Sequence, residues 1–336
     1  MEKKNEQIHP DQWLKDLPVQ TEEVGFKPEE MIICDKCQRK SPPTRLKCFY
    51  CGATLSVTAE QTQHLKPSLR KLEDWEKGFN LIYLPKGEVT ETNKVAKLLN
   101  LEGNEAQSIL AAQKSLPLAR LESNTEAEVL ANRLQELGIE TQIVSDEQLK
   151  AETLPKRLRG VDFYEDKIVL ILFNADEIAE ISLIDIKLIV VGAFFERKIE
   201  AVESMKKKDE KKMLESTEIS SDEMLIDIYG ATDFLGYRII SKGFDFSCLG
   251  AEKGLLAKDN MKTLAEKLRN IAPKAKFDND YLRFRAELGK VWEVSQHNDS
   301  SGIQRKGFGK LNRTNTTTVS NLLQFTRYSR LQRNLL

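Results

Sequence analysis

The chain has 336 residues, 40% of them hydrophobic and 31% charged, with 51 basic against 52 acidic side chains. That length suggests two or three domains, and the near-neutral balance excludes a global electrostatic bias towards nucleic acid or membrane. No stretch is long and apolar enough to span a bilayer; the nearest, residues 181–195, is interrupted by Asp185 and Lys187.

Residues 1–30 are polar, contain Pro10, Pro18 and Pro28, and show little periodicity. They read as a disordered arm that docks by Trp13. The opening Met1-Glu2-Lys3-Lys4-Asn5 lacks the apolar region of a secretory signal, so a cytoplasmic location with reduced thiols is expected. The sharpest chemistry follows. Cys34-Asp35-Lys36-Cys37 and Cys48-Phe49-Tyr50-Cys51 are two Cys-x-x-Cys pairs ten residues apart. A tight turn places both sulfurs of a pair on one ion, and two such turns supply the four tetrahedral thiolates that zinc favours. Gly52 follows the second pair, where a turn often needs positive φ. Ser41-Pro42-Pro43 breaks regular structure between the pairs. A redox dithiol and a pair of disulfides are the competing readings; two matched pairs this close favour one shared ion. With Cys34, Cys37, Cys48 and Cys51 all as ligands, no position stays open, so one structural zinc is expected. It would supply folding energy of about 10–16 kcal/mol that so short a stretch cannot draw from a core. This pattern resembles a zinc ribbon over residues 31–55. Around the cysteines, Lys36, Arg39, Lys40, Arg45 and Lys47 outweigh Asp35.

Residues 56–78 read as a polar linker with a short helix around Leu69 to Trp75. Residues 79–147 read as a small β-α-α-β-α-β domain. Phe79, Leu81 and Tyr83 alternate as on a strand; Val95, Leu98 and Leu99 mark a short helix. Asn104 and Gln107 have capping-box spacing ahead of a second helix carrying Ala106, Ile109 and Leu110. Residues 117–121 form a strand. Ser123-Asn124-Thr125-Glu126 is a capping box whose helix carries Ala127, Leu130, Leu134 and Leu137 and ends at Gly138. Ile139, Thr141 and Ile143 alternate as a last strand. Glu105-Ala106, Pro117, Ser123, Glu126-Ala127-Glu128, Leu134 and Leu137-Gly138-Ile139-Glu140 together resemble the C-terminal domain of the bacterial ribosomal stalk protein. The resemblance implies that fold, shared with peptide-gripping protease adaptors, and a factor-binding helical surface near Lys94, Val95 and Lys97. The chain departs from the family at Asn100-Leu101-Glu102-Gly103, where a Gly- and Lys-rich turn stands in the stalk protein.

Residues 160–295 read as an antiparallel β-rich domain. Strands are expected at 167–173, 178–182, 186–195, 224–229, 237–241 and 244–247, with a hairpin turn at 174–177. Residues 203–223 read as a charged insertion, a solvated helix or loop. Met261, Leu264, Ala265, Leu268 and Ile271 mark a helix ended before Pro273, and Tyr281, Phe284, Leu288, Val291 and Trp292 mark another. Asp278 and Asp280 suit that helix's N-terminus better than a metal. Antiparallel strands followed by one packing helix are similar to the pleckstrin-homology-like fold. From Ser300 onwards there is no acidic residue. Residues 300–336 read as a basic tail ending in a helix, a docking element in which Arg305, Lys306, Lys310, Arg313, Arg327, Arg330 and Arg333 hold RNA or an acidic protein, or one that covers the chain's own body.

The fold class is thus multidomain α+β. No phosphate loop, nucleophile elbow or His-containing triad stands out, and His9, His64 and His297 have no ligand spacing, so no enzyme is expected. The leading reading is a non-enzymatic, zinc-binding intracellular adaptor with another protein as its partner. The alternative is a nucleic-acid- or ribosome-associated ribbon protein using Arg39, Lys40, Arg45 and Lys47 or the basic tail.

Overall fold

The computed structural model describes residues 25–58, 61–86, 91–174, 177–205, 211–307 and 310–336. The expected arm falls mostly outside these, Trp13 included. The chain divides into two compact units, Met1–Lys66 and Pro67–Leu336.

In the first unit, β1 (Ile32–Ile33) pairs antiparallel with β2 (Lys40–Ser41), and Lys47 bridges Thr54. Its apolar centre is small: Ile32, Cys34, Cys48 and Leu55, with Cys37, Ala53 and Val57 against them.

The second unit starts with an irregular stretch that turns at 74–76, not the helix expected around Leu69 to Trp75. The carbonyls of Leu72, Glu73 and Glu76 turn to the guanidinium of buried Arg120, which also pairs with Asp146 at 2.7 Å. One buried arginine thus takes the carbonyls that a helix would have used internally. The β-α-α-β-α-β order then appears as read: β3 (Phe79–Tyr83), α1 (Thr92–Leu99), α2 (Gly103–Ala111), β4 (Pro117–Leu121), α3 (Asn124–Glu136) and β5 (Thr141–Ser145). The strands form one antiparallel sheet in the order β4-β3-β5. Ser123 caps α3 by accepting from the Glu126 amide at 3.2 Å, and Gly138 follows with φ 79°. The cap of α2 lies two residues earlier than expected: Glu102 and Glu105, not Asn104 and Gln107, form the reciprocal box. A short α4 (Asp146–Leu149) ends this part.

The larger sheet has nine strands. Along it run β13, β14, β9, β10, β11, β6, β7 and β8, and β12 pairs beside β9. These are β6 (Lys156–Phe163), β7 (Lys167–Leu172), β8 (Ile178–Ser182), β9 (Ile186–Met205), β10 (Lys211–Gly230), β11 (Tyr237–Ile240), β12 (Lys276–Asp278), β13 (Ser295–Gly307) and β14 (Lys310–Ser320). Residues 244–247 are not a strand; a 3-10 turn, Phe246–Glu252, stands there, begun by Asp245 accepting from the Ser247 amide. The apolar runs in β9 and β10 follow from burial on both faces. Leu188, Val190, Leu225 and Tyr229 enter one core, while Ile189, Ile226 and Ile228 enter another. Helix α5 (Ala257–Ile271) closes the second core with Met261, Leu264, Ala265 and Leu268. The first core holds α6 (Tyr281–Val291), α7 (Leu322–Asn334) and the β-α-α-β-α-β part. That part and the β-rich part therefore share one core within one compact unit. Trp292 donates to Asn80 Oδ1 at 2.7 Å, and Lys114 pairs with both Asp278 at 2.6 Å and Asp280 at 2.7 Å.

One expectation is overturned, and one of two alternatives is decided. The charged stretch 203–223 is not a helix or loop where it is described. It ends β9 and forms much of β10, paired along a hairpin of two 20-residue strands. Pairing on both sides of β9, with β10 and β14, satisfies a backbone whose side chains alone favour no strand. The tail follows the reading in which it covers the chain's own body. Its first half is the β13–β14 hairpin joined to β9, and its helix is core. Phe325, Tyr328, Leu331 and Arg330 are all 0% exposed. Residues 300–336 are therefore not a free docking arm.

Candidate metal centre

Each Cys-x-x-Cys turn is closed by the same two backbone bonds. The Cys34 amide donates to the Arg39 carbonyl at 3.0 Å, and the Gln38 amide donates back to Cys34 at 2.8 Å. In the second turn, Cys48 donates to Ala53 at 2.8 Å, and Gly52 donates back to Cys48 at 3.0 Å. The residue after the second cysteine takes left-handed φ in both turns, 58° at Gln38 and 69° at Gly52. The Gly52 turn was legible; its counterpart at Gln38 was not, because glutamine gives no such signal.

Strand pairing of β1 with β2 and the Lys47–Thr54 bridge bring the turns face to face. The Sγ atoms of Cys34 and Cys51 lie 3.6 Å apart, as do those of Cys37 and Cys48. All four lie within 4.8 Å of one another, the one such cluster of ligand-type side chains among the described residues. A tetrahedron with metal–sulfur bonds of about 2.3 Å has edges of roughly 3.8 Å, so the four atoms fit one ion. The separations are well beyond a disulfide bond, and all five cysteines are free thiols.

Donors surround the second turn. Buried Ser41 sends its hydroxyl to Cys48 Sγ at 3.5 Å, and the Tyr50 amide does so at 3.4 Å. The Ser41 hydroxyl, with the Cys51 and Tyr50 amides, lowers the Cys48 thiol to about 6. Cys37, although the Arg39 amide lowers it, is pushed up to about 12 by burial and by the other thiols. Four ionised sulfurs at this separation repel, and a bound cation removes that conflict. The fifth thiol, Cys248, lies half-buried beside the second core of the larger unit, and burial raises it.

The basic ribbon residues are exposed. Arg39 lies over the Tyr50 ring at 5.0 Å and Arg45 over the Phe49 ring at 5.3 Å. Phe49 and Tyr50, between the last two cysteines, are 66% and 54% exposed. The tail arginines go elsewhere. Arg330 donates to the carbonyls of Phe234 and Thr153, Arg333 to those of Gly230 and Ala231, and Arg327 lies 3.6 Å from Asp74. Arg330 and Arg333 thus cap backbone carbonyls of the same unit, and Arg327 faces one of its carboxylates. Arg313 is exposed and donates to Ser300. The side chains of Arg305, Lys306 and Lys310 fall outside the described residues. Asp278 and Asp280 hold Lys114, and Asp278 also accepts from the Tyr328 hydroxyl at 2.7 Å, so this pair serves packing.

No known family model, curated protein or solved structure matches the chain. No helix among the described residues is long and apolar enough to cross a membrane.

Proposed function

We propose that this chain is a non-enzymatic, zinc-binding adaptor of the cell interior. The observation that supports it most is the convergence of Cys34, Cys37, Cys48 and Cys51 from two matched turns. An all-thiolate tetrahedron suits zinc and leaves no position for a substrate, so the metal braces a fold. The braced unit displays large apolar side chains, Ile33, Phe49 and Tyr50, each more than half exposed. In so small a unit, such side chains suit a contact surface for a partner. Elemental analysis of the purified chain tests the metal and should give one zinc per chain. Affinity capture from the native cell, with and without nuclease, tests the adaptor role.

A second reading, association with nucleic acid or the ribosome, is favoured by one observation: the exposed rings are each overlaid by an arginine. The stalk-like and pleckstrin-homology-like resemblances rest on the order of elements and the quoted residues, and they carry no partner for this chain.

A further inference from the structure

The ribbon presents two aromatic rings at the tip of its second turn, in a setting unlike a simple apolar knob. Phe49 and Tyr50 lie between the ligands Cys48 and Cys51, so the metal turn fixes their backbone at both ends. Their rings meet edge-to-face, 5.4 Å apart and 88° to one another. Arg45 and Arg39 occupy one side of each ring, and more than half of each side chain stays open to solvent. Among the described residues, neither arginine forms an ion pair with an acidic side chain, and nor do Lys36 and Lys40 on the same small unit.

Charge decides what such a face can hold. Residues 31–55 carry Lys36, Arg39, Lys40, Arg45 and Lys47 against Asp35. A zinc ion with four thiolates has a formal charge of about −2, which leaves this stretch net positive. A partner that brings only apolar side chains would bury unpaired guanidinium groups, at a cost. A partner with regularly spaced anions and flat rings satisfies both features together. Unpaired bases stack on aromatic side chains and guanidinium planes, while the adjoining phosphates meet the cations.

We infer that the ribbon binds single-stranded nucleic acid, with bases stacked on Phe49 and Tyr50 and phosphates held by Arg39 and Arg45. Lys36 and Lys40 add charge to the approach. Two ring positions hold few nucleotides, so the contact is short and tolerant of sequence, since every base offers a π-face. Paired bases are unavailable for such stacking, so duplex binds less well. This inference rests on the zinc reading above, because the metal holds the turn that carries both rings.

The test uses the full chain loaded with zinc and fluorescein-labelled oligouridylate or oligothymidylate, followed by anisotropy across a salt series. Binding should weaken as salt rises. Phe49→Ala and Tyr50→Ala should each weaken it about tenfold with little change in salt slope. Tyr50→Phe, which keeps the ring, should bind like the parent. Arg39→Ala and Arg45→Ala should each weaken binding and reduce the slope by about 0.7. Zinc content is measured on every variant, so that loss of stacking is separated from loss of the fold. A zinc-loaded chain that fails to bind, or whose ring variants bind like the parent, overturns the inference and leaves the metal reading intact. Equal competition by polyglutamate or by duplex also overturns it, the former pointing to an acidic protein. A chain that takes up no zinc overturns the metal reading and this inference with it.

Discussion

At the residue scale, the two halves of the metal centre differ in one respect with a measurable consequence. Both turns need left-handed backbone after the second cysteine, and only Gly52 takes it without a Cβ cost. Nothing lies within 4 Å of a Cβ built at Gly52, so an alanine there suffers from φ alone. Gly52→Ala should weaken zinc binding by about 1 kcal/mol. Gln38→Gly should leave it equal or slightly tighter, because relief of strain is offset by a more flexible unfolded chain. Competition with a chromophoric chelator measures both. Replacing Cys34 and Cys37 together by serine should abolish binding; full retention would disprove the assignment. Acid should release the metal. A thiol lowered to about 6, as Cys48 is, favours the thiolate above that value. Its contribution is full above about 9, the ordinary thiol value, declines through neutral pH and is gone below about 6, while protons compete at all four sulfurs. The four-cysteine cluster was legible because its spacing has a chemical meaning that does not depend on the rest of the chain. The buried arginines were not. Arg120, Arg327 and Arg330 look like surface residues in a sequence, and only the assembled fold shows the carbonyls or carboxylates that receive them.

At the element scale, the legible parts carried local signals. Helix α3 has its cap at Ser123 and its stop at Gly138. Ser123→Ala should cost about 1 kcal/mol in a denaturant melt. Strands with weak local signals were missed or misread. The outer part of β9 is rich in charge, and β13 and β14 are rich in Ser, Thr and Asn; none has the alternation of a half-buried strand. Lateral pairing and diagonal ion pairs such as Arg197 with Glu218 hold them instead. Helix α7 gives the sharpest test of packing. Gly192 on β9 lies directly beneath Phe325, and a Cβ there would overlap that ring and come within 3.1 Å of Tyr281. Gly192 has ordinary strand φ, so space, not conformation, selects glycine. Gly192→Ala should destabilise the larger unit by about 1–3 kcal/mol, read as a lowered denaturation midpoint.

At the scale of the whole molecule, the chain should melt in two parts. The division at Lys66 and Pro67 separates a unit centred on the four-cysteine cluster from one organised by apolar cores. Among the described residues, the apolar centre of the small unit is Ile32, Cys34, Cys48 and Leu55, two of them cysteines of the cluster, so such a centre alone lacks the means to offset chain entropy and an ion would supply it. Among the described residues the larger unit has no such cluster: its cores come from α1 to α3, from α5 to α7 and from strands of both its sheets. Chelation should therefore remove a zinc-dependent transition and leave the main calorimetric transition in place. Deleting residues 322–336 should do the reverse. It removes Phe325, Tyr328 and Leu331 from the first core and leaves Asp278 without the Tyr328 hydroxyl. The main transition should fall sharply or vanish, while zinc content stays at one per chain. If deletion of α7 spared the main transition, the helix would be an appendage and the shared core misassigned. If chelation lowered the main transition as much as the deletion does, the units would depend on each other, and the metal would support the whole chain instead of its first part.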